Sequence, residues 1–520
     1  MFLIDSASPE PVTLDTTSAS LALPGFSPDP SIVRVGSDYY LITSTFQFFP
    51  AIAIHHSRDL VRWSMIGHVF SRPEELDLSD FFDGCGIWAP DISHHAGEFY
   101  IFFCLVQLTQ DRRVNVRGNY MVKSRHILGP YSRPVQLTTE GNDPSHFVDT
   151  DGSHHLLYAA GIPRGKGVKI VRLSDDCTRV VGEPRWLEFE PEKRAPEGPH
   201  LVHKDDHYYL TLAAGDGIYR GHHQLIARSR HLHGPYEPSP LGPFIVERSP
   251  EAEFYHHGHA KLVTTPEGLW RAAYLLRRRT GGFSPLGRET AIEAVHWRAD
   301  GWPVLNAGDG PADRPPPPPA ALRDDFDTAA LDPSWMFIRR PLPGGHDLAV
   351  RPGFLRLAGG VSAPDALVGV NAVLRRETNH AFVATTRLEF VPTPASEAGL
   401  LAYYDTSSHV RFVVAGDLGA ILRLSIQDRG CHRILAETPL LDTDTIFLRM
   451  TVRGLVREFA FSYDGMRWLS AGTAPDCSCM SDEGTANWGF TGTLVGLYAR
   501  RSPEGSALRA DFDWLAIDPA

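Results

Sequence analysis

The N-terminal part of the chain repeats itself, and this repetition constrains the fold more than any other feature. Each copy has a small or acidic opening, a short strand, a polar Gly/Asp turn and an aromatic-rich strand, which is the pattern of a β-hairpin. Five copies are in register at Asp29, Asp91, Asp143, Glu197 and His259, at intervals of 62, 52, 54 and 62 residues. This spacing predicts a radial array of four-stranded blades, hence a five-bladed β-propeller, with an all-β sandwich as the alternative.

A run of five prolines divides the chain in two. The run lies in PADRPPPPPA, residues 311–320, and favours a stiff extended spacer because proline cannot continue a helix or a central strand. After it, segments such as TIFLRMTVRG and ALRADFDWLAI alternate apolar and polar residues, which predicts a β-sandwich of the jelly-roll, lectin-like kind. The predicted all-β chain is therefore divided into an N-terminal extension, 1–20, a propeller, 21–310, a linker, 311–321, and a sandwich, 322–520.

Composition narrows the function classes. Asp and Glu number 62 against 50 Lys and Arg, a formal net charge of −12, and neither a basic stripe nor a polybasic block is present. Nucleic-acid and membrane partners are therefore not expected. The six cysteines are sparse, and the N-terminus has neither the basic segment nor the apolar stretch of a secretory signal. We expect a cytoplasmic protein.

The repeat also predicts where the chemistry lies. The innermost strand of each blade lines the central channel, so residues at equivalent repeat positions should surround one cavity. Those positions hold three Asp, one Glu and one His. Burial and like charge both raise the pKa of a carboxyl group while a neighbour stays ionised, which is an arrangement used for acid/base chemistry. The alternative is that each carboxylate only caps backbone N–H groups at a strand end.

Six ordered segments resemble a known family. They are LPGFSPDPSIVRVGSDYYLITSTFQFFPAIAIHHSRDLVRW (23–63), GIWAP (86–90), NDPSHFVDTDG (142–152), PEGPHL (196–201), ARSRHLHGPYE (227–237) and PLGRETAI (285–292). They are similar to glycoside hydrolase family 43, and most of all to its β-xylosidases and α-L-arabinofuranosidases that carry a C-terminal sandwich domain. The resemblance implies a five-bladed propeller and an exo-acting, inverting hydrolysis of terminal sugars from xylan-derived oligosaccharides.

The resemblance assigns catalytic roles to three carboxylates. Asp29 would be the general base that activates water, and Glu197 the general acid that protonates the leaving oxygen. Asp143 would orient Glu197 and, as an ionised neighbour, raise its pKa. Asp91 has no catalytic role in the family and is interpreted as a structural carboxylate. No cofactor is required by this chemistry.

The resemblance reaches further residues around the sugar. Arg288 would bind sugar hydroxyls, and the alternative is a structural salt bridge, for example with the adjacent Glu289. Phe46 and Trp88 would wall the pocket, with ordinary core packing as the alternative. His259 would lie near an axial cation, which implies a structural Ca²⁺. The sandwich is expected to pack on the propeller and to send residues 488–494 toward the pocket; the alternatives are a domain that only buries propeller surface and a separate carbohydrate-binding module.

Three hypotheses follow for the function. The first is an exo-acting glycosidase that removes β-xylosyl or α-L-arabinofuranosyl units from a small oligosaccharide, in a chain that forms homo-oligomers. The second is a non-catalytic, carbohydrate-binding propeller, which leaves the placement of three carboxylates unexplained. The third is a retaining enzyme or transglycosidase that uses Asp29 as a nucleophile.

Overall fold

The computed structural model describes residues 21–109, 111, 113–161, 167–189, 196–215, 221–316, 319–416, 419–441, 443–502 and 508–520. The predicted N-terminal extension, 1–20, lies outside the described residues, as do residues 317 and 318 of the predicted linker. The domain boundaries themselves stay predictions. In the part of the chain that is described, no helix has both the length and the apolar character needed to span a bilayer.

Five antiparallel sheets follow one another in the first half of the chain, and we number them as blades 1 to 5. Blade 1 comprises Ser31–Val35, Asp38–Thr43, Ala51–Ser57 and Ser64–Phe70. Blade 2 comprises Gly86–His95, Glu98–Leu108, Val114–Ser124 and Val135–Thr138. Blade 3 comprises Asn142–Val148, His154–Ala160, Gly167–Leu173 and Val180–Trp186. Blade 4 comprises Glu197–Lys204, His207–Ala214, His223–Ser229 and Glu237–Pro238.

Blade 5 closes the ring with a strand from the start of the described chain. Its strands are Phe254–Thr264, Trp270–Arg278, Arg288–Trp297 and Pro303–Leu305. Leu21–Leu23 adds to Arg288–Trp297, with Leu21 opposite Ala291. The innermost strands of successive blades contact one another, and that of blade 5 contacts that of blade 1. The five-bladed propeller predicted from the repeat is confirmed.

The second half forms a sandwich of two eight-stranded sheets, and a single 3₁₀ turn, Asn306–Gly308, precedes it. The outer sheet contains Leu322–Asp324, His346–Asp347, Leu355–Ala358, Ala381–Glu389, Thr445–Arg453, Val456–Ser462, Leu469–Ala474 and Arg509–Pro519. The inner sheet contains Met336–Ile338, Ala372–Arg376, Glu397–Asp405, Ser408–Gly416, Ala420–Asp428, Cys431–Pro439, Leu494–Arg500 and, from the propeller, Phe48–Phe49. The predicted all-β class, with a sandwich after the propeller, is confirmed.

Burial along the strands shows how the two domains are arranged. In the outer sheet, Thr445–Arg453 alternates buried and half-buried residues, as expected for a sheet with one face in a core. In the inner sheet, every residue of Glu397–Asp405 is buried, so both faces of that strand are covered. Phe48–Phe49 of the propeller pairs with Met336–Ile338 at the edge of the same sheet. The sandwich therefore packs on the propeller, and it shares a β-ladder with it.

Candidate active site

A pocket opens at the end of the channel where the innermost strands begin. Its volume is about 500 Å³, including the open mouth. Its wall contains all seven residues singled out from the sequence as catalytic, sugar-binding or metal-binding: Asp29, Phe46, Trp88, Asp143, Glu197, His259 and Arg288. The structure thus brings these side chains to one place, while their individual roles stay predictions.

At one equivalent position in, or just before, each innermost strand the residue has a left-handed backbone, and we call these five residues the first ring. They are Asp29, Ala89, Asp143, Gly198 and His259, with φ of 51°, 28°, 51°, 57° and 54°. The residues two positions further along form a second, deeper ring: Ser31, Asp91, Ser145, His200 and Lys261. In blades 2 to 5 the strand pairing shifts register at this point, as at a β-bulge.

The two rings correct the register inferred from the sequence. The repeat alignment made Asp91 and Glu197 equivalent to Asp29 and Asp143, and this was wrong by two residues for Asp91 and by one for Glu197. The true equivalents are Ala89 and Gly198. A bulge adds a residue that hairpin similarity does not reveal, so the spacing of aromatic strands could not fix the register.

Asp29 is held as an ionised carboxylate. Ser44 Oγ donates a hydrogen bond to its Oδ2 at 2.7 Å, and Arg288 Nη1 donates to its Oδ1 at 2.9 Å. His259 Nδ1 lies 3.6 Å from the same Oδ1. Burial alone would raise the pKa of Asp29, but Arg288, His259 and Ser44 together outweigh it and lower that pKa below its ordinary value. An ionised carboxylate next to the pocket can accept a proton from water.

Asp143 has the opposite protonation behaviour. It is buried, and the Gly198 N–H donates to its Oδ2 at 2.9 Å. Burial raises the pKa of Asp143 to about 7; His259 opposes this, and the carboxylates of Glu197 and Asp29 add to it. Burial thus favours the protonated form of Asp143 on the acid side of about pH 7, and the ionised Asp143 that the family resemblance implies stays a prediction. Interacting carboxyl groups of this kind titrate as a pair.

Glu197 lies at the mouth of the pocket. Its side chain is 37% exposed, whereas that of Asp29 is 4% exposed, so Glu197 is the carboxyl that solvent and a departing group can reach. It begins the innermost strand of blade 4, and the neighbouring Gly198 bonds to Asp143. His222 Nε2 lies 3.6 Å from Glu197 Oε1.

Aromatic rings from both domains form one wall. Phe46 of the propeller stacks on Phe490 of the sandwich, with ring centroids 6.1 Å apart and planes at 17°. Trp88 meets Phe490 edge-on at 5.4 Å and stacks on Trp488 at 5.9 Å. Arg288 lies over the Phe490 ring at 4.8 Å. Phe46 and Trp88 thus pack in a hydrophobic cluster and line the pocket at the same time.

Buried ion pairs fix the sandwich loop that carries Phe490. Arg277 of blade 5 pairs with Asp482, whose Oδ1 accepts the Phe490 N–H at 2.9 Å. Glu483 accepts from the N–H and hydroxyl of Ser284 at 2.9 and 2.8 Å. The sandwich therefore completes the pocket wall, which excludes a domain that only buries propeller surface.

The second ring bears on the predicted calcium ion. Lys261 Nζ contacts Asp91 Oδ1, the Ser31 hydroxyl at 3.0 Å and the Ile92 carbonyl at 2.6 Å. Burial alone would raise the pKa of Asp91, but Lys261 chiefly lowers it. Calcium binds through six to eight ligands, mostly oxygen. The Asp91 carboxylate of the second ring is paired with an ammonium, whereas Asp29 Oδ1 lies 3.6 Å from His259 Nδ1. A structural Ca²⁺ near His259 stays a prediction.

Two further contacts were not found from the sequence. His222 touches Glu197, and it lies in AGDGIYRGHHQ, residues 214–224, outside the six segments that resemble the family. Arg288 does form a salt bridge, the alternative considered for it, but its partner is Asp29 at 2.9 Å and not Glu289, which pairs with Arg278 at 2.6 Å. The signal for Arg288 was its place in PLGRETAI, but its partner, Asp29, comes from the other end of the propeller.

The fold and the pocket define a carbohydrate-cleaving enzyme built on a five-bladed propeller, with carboxylates and an aromatic wall at the channel mouth. The chain belongs to glycosyl hydrolases family 43, whose model matches residues 21–303, and residues 323–518 match the β-xylosidase C-terminal concanavalin A-like domain. It is therefore a glycosidase.

Relatives with different activities resemble the chain over nearly its whole length. A xylan 1,3-β-xylosidase of Vibrio sp is 35% identical, covering 96% of this chain and 99% of the relative. A non-reducing end α-L-arabinofuranosidase of Bacteroides ovatus is 33% identical, covering 94% and 92%. Among solved structures, the GH43 BlXynB protein from Bacillus licheniformis is 40% identical, with a TM-score of 0.90 over 97% of this chain and 100% of that one.

Proposed function

We propose that this chain removes single β-D-xylosyl units from the non-reducing end of xylan-derived oligosaccharides, by an inverting hydrolysis. The observation that carries the proposal is the different setting of the carboxylates: Asp29 is buried and bonded to Arg288, which helps to lower its pKa, whereas Glu197 lies at the open mouth next to Asp143, whose pKa burial raises. An α-L-arabinofuranosyl group is the alternative substrate, because a relative of similar identity is named for that activity.

The geometry supports one sequence of proton transfers. Water bound beside Asp29 loses a proton to that carboxylate as its oxygen attacks the anomeric carbon. The bond from this carbon to the glycosidic oxygen breaks, its electron pair goes to the leaving oxygen, and Glu197 supplies the proton that this oxygen takes up. Asp143 positions Glu197 through the Gly198 N–H.

The closed wall favours exo-action. Phe490 and Trp488 of the sandwich stand against Phe46 and Trp88 of the propeller, so the site is a pocket and not an open cleft. Such a pocket receives one terminal sugar. A cytoplasmic location stays a prediction, supported by six cysteines that form no disulfide, all of which lie among the described residues. Homo-oligomer formation also stays a prediction.

The test measures substrate and stereochemistry together. Hydrolysis of nitrophenyl β-D-xyloside, nitrophenyl α-L-arabinofuranoside and xylobiose is compared, and the anomer first released is followed by proton NMR. We expect the β-xyloside and xylobiose to be cleaved with α-xylose as the first product. Faster cleavage of the arabinofuranoside would favour the alternative substrate, first release of β-xylose would show a retaining enzyme, and sugar binding without turnover would show a non-catalytic propeller.

A further inference from the structure

The side chain that faces Glu197 from blade 4 is a buried histidine. His222 is 4% exposed, and its Nε2 points at Glu197 Oε1 across 3.6 Å. We infer that His222 is a positioning residue, which accepts a hydrogen bond from the acid form of Glu197 when substrate is bound and holds that carboxyl toward the leaving oxygen. The inference rests on the proposed function, since it assigns a partner to the general acid.

The other nitrogen of the ring determines which protons it carries. His222 Nδ1 lies 3.3 Å from the His256 carbonyl oxygen, which can only accept a hydrogen bond. Nδ1 must therefore carry the hydrogen, and in a neutral imidazole Nε2 then presents a lone pair. A lone pair facing a carboxylate oxygen is repulsive, whereas a lone pair facing a protonated carboxyl is attractive. The contact is favourable when one proton lies between Glu197 and His222.

Gly258 provides the space for this ring orientation. A Cβ placed on Gly258 would lie 2.3 Å from His222 Cε1, which leaves no room for a side chain. Gly258 does not have a left-handed backbone, so glycine is needed here for space and not for conformation. The imidazole is thus confined between the innermost strand of blade 5 and the Glu197 side chain.

Both the backbone next to Glu197 and its carboxyl group consequently have a neighbour that positions them. The N–H that follows it, on Gly198, donates to Asp143 Oδ2 at 2.9 Å, which fixes the backbone. His222 faces the carboxyl group itself. At 3.6 Å that second contact is longer than a hydrogen bond, and catalytic contacts of this length often shorten when substrate fills the site.

This arrangement has a consequence for each turnover. Glu197 gives its proton to the glycosidic oxygen, which takes the electron pair of the breaking bond, and Glu197 is left ionised. The ionised carboxylate now faces the Nε2 lone pair, so it regains a proton from solvent at the pocket mouth before the next cycle. His222 therefore affects only substrates whose leaving group needs a proton.

Two substrates separate this role from a structural one. Xylobiose has a poor leaving group that requires protonation, whereas the dinitrophenolate of 2,4-dinitrophenyl β-D-xyloside leaves without it. In His222→Asn, whose amide can still reach the His256 carbonyl, we expect kcat on xylobiose to fall about 10- to 100-fold with KM little changed. On the dinitrophenyl substrate kcat should stay within about threefold. If arabinofuranosides are the better substrates, the comparison uses one arabinofuranoside whose leaving group needs a proton and one with a dinitrophenolate leaving group.

The controls keep the possible outcomes distinct. His223→Asn alters the next residue of the same segment, which points to the other face, and should leave both rates unchanged. His222→Gln, whose amide oxygen can accept in place of Nε2, should recover part of the lost rate and repeats the test if His222→Asn does not fold. Equal losses on both substrates in the His222 variants would overturn the inference.

Glu197→Ala separates this inference from the function on which it rests. This variant should show the same selective loss as His222→Asn, but larger. If Glu197→Ala retains full activity on xylobiose, the proposed function itself fails. If Glu197→Ala is selective and the His222 variants are not, only the role of His222 fails.

Discussion

Asp29 of blade 1 and Asp143 of blade 3 occupy the same position of the repeat but differ in their tendency to ionise. Each precedes a proline, each has a φ of 51°, and each is buried. Yet the pKa of Asp29 is lowered, and that of Asp143 is raised to about 7. Local sequence and backbone geometry are the same, so neither can be the cause of the difference.

The cause is what the neighbouring blades place beside each carboxylate. Blade 5 sends Arg288 and His259 to Asp29, and Ser44 adds a hydrogen bond. Asp143 meets the Glu197 carboxylate of blade 4, and the neutral Gly198 N–H donates a hydrogen bond to it. The repeat thus sets where a carboxylate lies, and the adjacent blade sets whether it is ionised.

Neutralising each of the two carboxylates gives the largest expected effect. Asp29→Asn removes the base and should lower kcat on any glycoside about 1000-fold or more. Asp143→Asn resembles the protonated residue already present below about pH 7, so at pH 6 it should lower kcat only about 10- to 100-fold. Steady-state rates on an aryl xyloside measure both, with exposed Asp151→Asn as a control. Equal losses in the two variants would contradict the comparison.

The repeat in the sequence was sufficient to predict the architecture. Five copies of a hairpin pattern specify five blades, because each blade reuses the same alternation and turn residues. The alignment also placed Asp29, Asp143 and His259 correctly in the first ring. It failed at Asp91 and Glu197, because the left-handed residues there are Ala89 and Gly198, which carry no charge that would mark them.

The sequence did not predict which distant segments contact one another. Arg288 is recognisable in its motif, but its ion pair with Asp29 exists only because the ends of the propeller meet. Phe490 is held at the pocket because its N–H donates to Asp482, which forms an ion pair with Arg277 of blade 5. The protonation of Asp143 depends on burial, which no single motif encodes.

The charge of Asp29 is tested through Arg288. Burial raises the pKa of Asp29, and the guanidinium of Arg288 is the main group that opposes this effect. Without that guanidinium the pKa of Asp29 should rise toward or above its ordinary value. Because Asp29 must be ionised to act as a base, the acid limb of the kcat/KM profile should move to higher pH in Arg288→Met, by about one pH unit. Arg288→Lys keeps a positive charge and should move the limb less. A limb that stays in place in Arg288→Met would show that Arg288 does not set the charge of Asp29.

The smallest effect concerns stability, and it tests the charge of Asp143. Asp143 has a pKa of about 7 in the folded chain and the ordinary Asp value of 3.8 when unfolded. As the pH rises from about 4 to 7, the unfolded chain ionises while the folded chain stays protonated, so folding loses stability across this window. Asp143→Asn removes that penalty, and the variant should melt roughly 2 to 5 °C above the parent chain at pH 8.

Near pH 4 the melting temperatures of Asp143→Asn and the parent chain should come close together, because Asp143 is then protonated in the folded parent and only about half ionised in the unfolded one, so little of the penalty remains. Burial also raises the pKa of Asp405, in the sandwich, to about 7, so this group contributes the same loss of stability with rising pH to both proteins. That shared slope cancels in the difference between them, and Asp151→Asn provides the matched exposed control. A difference that does not change from pH 4 to pH 8 would mean that Asp143 is ionised like Asp29, and that the two positions do not differ in charge.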